Sequence, residues 1–318
     1  MFSKLDPEIL EKNFQAWIEI LVEELGIEVI AIDGKNLKGS YDREQSLKSL
    51  TMVSAWSSSH RLVLRQVAVK HKSNEITAIP VLLERALERT DIAKSNGESP
   101  EAIDLKGGII TTDAMGTQTT IAKQIVEAGA DYILALKANH PSLSRDAWDW
   151  LKEQQNQLEN TQVGKTEITC EAGHHRIEKR RFWKVPVERV FARNRIKQWA
   201  GLQTLVVEES QRTLWNKTTH SVRFFLSSLK PEFSDFPSSI RSHWGIENQL
   251  HWCLDVIFAE DNSRIRKDHA PRNMSILRRL ALNLLQQDAS KASLKMKRYQ
   301  AGLDNNFLLQ ILSNSGLF

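Results

Sequence analysis

Residues 28–35 read Glu28-Val29-Ile30-Ala31-Ile32-Asp33-Gly34-Lys35, and this stretch decides the fold. Four consecutive apolar residues, three of them β-branched, describe a short buried strand that ends on a carboxylate followed at once by glycine. The pattern returns at 107–116, where Ile109 and Ile110 lead through two threonines to Asp113, with Gly116 just beyond. Between the two, 50–56 and 61–69 read as strands joined by a Ser-rich turn, and Ile76 to Arg89 as a helix with Pro80 in its first turns. A polar loop at 94–101 follows. Thr119 to Ala128 is a helix stopped by Gly129, and Tyr132 to Leu136 is an apolar strand leading to Lys137, Asn139 and His140.

The resulting order is strand, strand, strand, helix, strand, helix, strand. An antiparallel meander, a helix and a fourth strand set strands one and four side by side in an RNase H-like α/β sheet. A carboxylate at the end of a buried strand lies at the sheet rim, where α/β proteins bind ligands. Two such carboxylates together offer the oxygen donors that a hard divalent cation needs. Either aspartate alone reads equally well as a turn residue or a helix N-cap.

Working outward, 5–25 is an amphipathic helix opened by Asp6-Pro7. From about 150 to 230 the texture turns to alternating β segments such as Thr166 to Cys170, Leu202 to Val207 and Val222 to Leu226. Helical periodicity returns at 238–258, 273–287 and 304–313. The expected organisation is an N-terminal helix over 1–27, a core first part over 28–148 and a β-rich insertion over 149–234. A second core part with further helices spans 235–288, and a helical tail 289–318.

The chain has 318 residues and 36.4 kDa, of which 41% are hydrophobic and 26% charged. That balance supports a large core and excludes a disordered or collagen-like chain. The formal charge of +4 is unevenly spread. Residues 1–32 carry a net −5, residues 176–198 a net +7 and residues 264–298 a net +8. Each basic run alone reads as a solvated face; two together favour a polyanionic partner. Cys170 and Cys253 have no paired spacing, so neither a disulfide framework nor a Cys-based zinc site is expected, which points to a reducing compartment. No secretory leader or apolar run of membrane-spanning length appears. The expectation is a cytoplasmic protein with no membrane partner.

The third carboxylate for a metal site comes best from His243-Trp244-Gly245-Ile246-Glu247-Asn248. With Ala31-Ile32-Asp33-Gly34-Lys35, Thr112-Asp113-Ala114-Met115-Gly116 and Asp261-Asn262-Ser263-Arg264-Ile265-Arg266-Lys267, these blocks resemble those of DDE transposases of bacterial insertion sequences, specifically the H-repeat-associated group. The resemblance runs from about residue 5 to about 313. It implies that Asp33, Asp113 and Glu247 are the catalytic, metal-binding triad, with two Mg²⁺ ions, or Mn²⁺ in their place. It implies cleavage and strand transfer by two-metal phosphoryl transfer. The implied partners are double-stranded DNA, as inverted-repeat ends and target, and a second copy of the chain in a synaptic complex, in a bacterial cytoplasm at the nucleoid. Members of the group usually carry a further N-terminal helical region, so a shortened N-terminus with impaired transposition is the matching expectation. A DNA-binding remnant and a nuclease that uses only water stand as alternatives.

Around the triad, Lys35 could reach a scissile phosphate as a point charge, and Lys137, Asn139, His243 and Asn248 are candidate supporting groups. His243, Glu247 and His251 fall at i, i+4 and i+8, a spacing also open to zinc. Asp255, Glu260 and Asp261 rival Glu247 for the third position. Related transposases place Tyr, Arg and Lys around the Glu where this chain has Ile240, His243 and Leu254, so roles tied to those side chains do not transfer. The block 173–181, similar to a basic block of the family, nominates Arg176, Lys179, Arg180 and Arg181 for DNA phosphates; Arg264, Arg266, Lys267 and Arg272 form a second set. Trp183, Trp199 and Trp215 are either core or base-stacking residues.

Overall fold

The computed structural model describes residues 2–22, 29–41, 48–69, 75–87, 105–158, 166–173, 176–215 and 217–314. The chain divides into two compact units, one made of Met1–Leu105 and Ser242–Phe318, the other of Lys106–Arg241. The polar loop at 94–101, His174 and His175 lie outside the described residues.

In the first unit, helix α1 (Pro7–Val22) precedes an antiparallel meander of β1 (Val29–Asn36), β2 (Thr51–Ser57) and β3 (Leu62–Ala68), then α2 (Glu75–Leu87). Ile30, Ala31, Ile32, Met52, Val53, Trp56, Leu62 and Val63 are buried, as their β-branched and aromatic content favours. Strand β1 does not end at Asp33. Its pairing with β2 continues through Asp33↔Ser54, Gly34↔Val53 and Lys35↔Met52 to Asn36↔Thr51. Gly34, which reads as a turn signal, serves a close approach instead: a Cβ there would lie 2.2 Å from Glu75 Oε1.

The remaining helices of this unit are α7 (Trp252–Val256), α8 (Ala270–Gln287), α9 (Leu294–Leu303) and α10 (Asn305–Asn314). Helix α8 covers the edge strand: Asn283 accepts from Val63 N–H and donates to Val63 O, both at 2.9 Å, pairing backbone groups that would otherwise be buried and unmet. Arg279, fully buried on the same helix, donates to Ser54 Oγ and pairs with Glu260 at 3.3 Å.

The second unit holds β4 (Ile109–Thr112), α3 (Thr119–Glu127) and β5 (Asp131–Leu136), with β4 and β5 parallel. Helix α4 (Pro141–Leu158) follows, then β6 (Thr166–Gly173), β7 (Arg176–Pro186), the short α5 (Arg193–Ile196), β8 (Thr204–Leu214) and β9 (Lys217–Ser227). Its strand order is β4-β5-β9-β8-β7-β6, so the β-rich segment extends the sheet through the antiparallel β5–β9 pair. Helix α6 (Phe236–Gly245) crosses the division between units. The chain order β1-β2-β3-α2-β4-α3-β5 is that of a mixed α/β protein and follows the order read from the sequence. No described helix is long and apolar enough to cross a membrane.

Candidate active site

Because β1 carries Asp33 in mid-strand, its backbone is fixed on both sides by the ladder to β2. The carboxylate is largely enclosed, Oδ1 accepts the Gly34 N–H at 2.9 Å, and Oδ2 stands 3.7 Å from His251 Nδ1. Burial, and then the cations Arg279 and Lys35 and the His243 ring, push the His251 imidazole down to about 3. The ring facing Asp33 is therefore neutral near pH 7, and the contact, longer than a hydrogen bond, is not an ion pair. His251 Nε2 is buried without a hydrogen-bond partner among the described residues.

Lys35, two residues on, is buried and donates to Asp255 Oδ2 at 2.7 Å and Asp261 Oδ1 at 3.4 Å, while Lys38 pairs with Asp261 at 2.8 Å. Burial opposes ionisation of Asp261, but the Lys38 hydrogen bond and the nearby Lys35 charge outweigh it and hold the carboxyl below its usual value. This corrects the expectation of Lys35 as a phosphate contact: its charge is consumed by two carboxylates of its own chain. Of the rival acids, Asp255 and Asp261 belong to that lysine cluster and Glu260 to the buried Arg279 pair.

Glu247 lies in a π-helical turn (Ile246–His251) between α6 and α7. Such a turn adds a residue to the local repeat, so the i, i+4, i+8 stripe read from the sequence is broken within it. Ile246 and Leu250 face inward, whereas Glu247 and Asn248 are exposed and His243 is half-buried. Glu247 makes no ion pair or side-chain hydrogen bond with a described residue.

Asp113, in the second unit, follows β4 in a tight turn. Its Oδ1 accepts the N–H groups of Met115 at 2.8 Å and Gly116 at 3.2 Å, which sets the carboxylate's orientation and leaves Oδ2 without a partner among the described residues. Asn139 donates to Ala114 O, and His140 Nε2 lies 2.6 Å from Thr117 O. Lys137 is exposed. Sequence reading named Asn139 but missed the roles of Thr117 and His140; the signal was the His140-Pro141 start of α4, with Pro at the first helical position.

The basic candidates separate by burial. Arg180 is 1% exposed and pairs with Glu178 at 2.7 Å, Glu171 at 3.3 Å and Glu208 at 3.4 Å, so it is not available to a phosphate. Arg272 is likewise engaged, by Glu8 and Glu11 of the acidic α1, which it ties to α8. Arg266 donates to Gly39 O at 3.3 Å and lies over the Tyr41 ring. Gly39 is required there, since a Cβ would meet Ser263 O at 1.9 Å. Arg181 lies over the Trp183 ring, 3.9 Å from Glu209. Lys179, Arg264 and Lys267 are exposed and carry no ion pair among the described residues. The side chain of Arg176 lies outside the described residues. Trp183 and Trp199 are core residues; Trp215 is 80% exposed at the β8–β9 hairpin.

No three His, Cys, Asp or Glu side chains of the described residues are grouped closely enough to hold one metal ion. The fit to Mg²⁺ is one of donor chemistry: Asp33, Asp113 and Glu247 are hard oxygen donors, and Asp113 and Glu247 are not neutralised by a cation among the described residues.

Comparison with known proteins gives a match over residues 24–284 to the family described as transposase DDE domain. The chain is 35% identical over 324 residues to the putative protein YbfL of Escherichia coli K12, covering 99% of this chain and 79% of that one. It is 35% identical over 322 residues to the H repeat-associated putative transposase YhhI of the same strain, with the same shares. It is 36% identical over 316 residues to the putative transposase YncI of Escherichia coli O157:H7, covering 98% and 76%.

Proposed function

On the premise that this chain belongs to the DDE transposases, as its family match over residues 24–284 shows, we propose that it nicks DNA and transfers the cut strand, with Asp33, Asp113 and Glu247 as the metal-binding triad. The observation that carries this reading is a segregation of charge. The rival acids Asp255, Glu260 and Asp261 are paired with Lys35, Lys38 and Arg279, while Asp113 and Glu247 meet no cationic side chain among the described residues. Acids that serve the fold are paired; acids left unpaired at a site suit an external cation.

Two Mg²⁺ ions bound to these oxygens would activate water or a DNA 3′-hydroxyl and stabilise the leaving oxygen. The chain's residues supply the frame. The ladder and the Gly34 N–H orient Asp33, the neutral His251 adds no competing positive charge beside it, and the Met115 and Gly116 N–H groups orient Asp113. Lys179, Arg264 and Lys267, with Arg181 and Arg266 at their sides, are the candidates for DNA phosphates. Synapsis of two ends calls for two copies of the chain.

The test supplies Mg²⁺ and DNA bearing inverted-repeat ends. Metal-dependent nicks, followed by joining of a precut 3′-hydroxyl end to target, are the expected result. Nicks without joining would reassign the chain as a nuclease, and salt-sensitive binding without nicks as a DNA-binding remnant.

A further inference from the structure

The turn that carries Asp113 is held through both its donors and its acceptors. Its N–H groups at Met115 and Gly116 are taken by Asp113 Oδ1. Two of its carbonyls are taken by side chains from the segment after β5: Asn139 Nδ2 donates to Ala114 O at 2.5 Å, and His140 Nε2 contacts Thr117 O at 2.6 Å. Since a carbonyl only accepts, His140 carries a hydrogen on Nε2. Thr117 is fully buried, and its hydroxyl lies 2.7 Å from Ala135 O and 3.1 Å from Asp113 O.

Of the two donors, His140 is itself anchored. The His140 ring stands edge-on to the buried Trp199, with centroids 5.2 Å apart, and its carbonyl accepts the Ser144 N–H in the first turn of α4. A surface turn ordinarily leaves its carbonyls to water. Here the segment after β5 reaches back to fix the segment after β4.

We propose that Asn139 and His140 are positioning residues for the second aspartate: they hold the 113–117 turn so that Asp113 Oδ2 is presented to the metal in one direction. This rests on the reading of Asp113 as a metal ligand. Groups that orient a ligand without touching the ion typically matter 10- to 100-fold in metal affinity or activity.

The test titrates Mg²⁺ into the full chain with end-bearing DNA, reading metal binding by calorimetry and the single-turnover nicking rate, which should shift together. His140→Phe keeps a ring against Trp199 but removes the donor, and Asn139→Asp replaces a donor by an acceptor facing Ala114 O. Each should raise the Mg²⁺ concentration for half-maximal rate by about tenfold or more, with DNA affinity unchanged. His140→Gln, whose amide N–H can take the place of Nε2–H, should restore most of the metal response. Unchanged half-saturation in both His140→Phe and Asn139→Asp, or a His140→Gln variant as impaired as His140→Phe, would overturn the inference. Thermal midpoints identify a variant that does not fold, and the other position then decides the outcome. Asp113→Asn separates the two levels. If it stays active, the functional reading fails; if it is inactive while the positioning variants respond like the parent chain, only this inference fails.

Discussion

Lys35 Nζ donates to Asp255 Oδ2 at 2.7 Å, joining β1 two residues past Asp33 to the helix that continues from the Glu247 turn. The pair is enclosed on the lysine side, 7% exposed, and a third exposed at the aspartate. It works as a clamp within the first unit, not as a surface charge for DNA.

Lys35→Met should therefore lower stability. Breaking a fully buried pair costs about 3–5 kcal/mol, and the partial exposure of Asp255 reduces this to about 1–3 kcal/mol. Urea unfolding checks the loss. The salt dependence of DNA binding should not change.

Arg264 and Lys267 should show the opposite profile. Both are exposed and unpaired among the described residues, so their alanine variants should stay within about 0.5 kcal/mol of the parent in stability. Removing either phosphate-binding cation should make the slope of log affinity against log salt shallower by about 0.9. Fluorescence anisotropy over a salt series measures the slope, and urea unfolding the stability.

Arg279→Met addresses the buried network behind β2. Arg279 and Glu260 have fully buried side chains, Ser54 and Ser275 bond to them, and Arg278 stands 3.8 Å from Glu260. Removing this partner should cost about 3 kcal/mol, the low end for a broken buried pair, because Arg278 stays beside Glu260. A thermal melt with the unfolding enthalpy reads the change.

Acid sensitivity should include a contribution from Asp288. The hydrogen bond from Ser290, opposed by burial and assisted by Lys297 at 3.1 Å, holds this carboxyl below its ordinary value. The native state then binds fewer protons than the unfolded one, so the contribution is complete above the unfolded value of about 4 and disappears as pH falls through the lower folded value. Asp288→Asn should reduce stability at pH 7 and flatten the decline below about pH 4. Denaturant midpoints across that range test it.

The alternation of apolar strands and amphipathic helices made the order of the core legible, because burial imposes periods of two and 3.6 on the residues themselves. What the sequence concealed were contacts between distant positions. Gly34 reads as a stop, yet β1 runs on through it in register with β2, and Glu75 occupies the space a side chain would fill. Lys35 reads as a phosphate ligand because its partner Asp255 lies 220 residues away. In β7 the alternation places Ile177 outside and Arg180 inside, against hydrophobicity, since Glu171, Glu178 and Glu208 compensate the arginine. The π turn at 246–251 has no periodic signature, and it re-aims the stripe expected for His243, Glu247 and His251. Helices α4 and α9 do carry start signals, Pro141 at a first helical position and the Ser293 cap that accepts the Met296 N–H.

The central claim is that three carboxylates do the chemistry. The most direct measurement is the Mg²⁺-dependent nicking rate on end-bearing DNA for Asp33→Asn, Asp113→Asn and Glu247→Gln, each checked for folding and DNA binding. Loss of metal-assisted charge stabilisation worth several kcal/mol corresponds to a fall of about 10³-fold or more. The account predicts that fall in all three, with binding retained. Parent-like nicking in any one of them would contradict it.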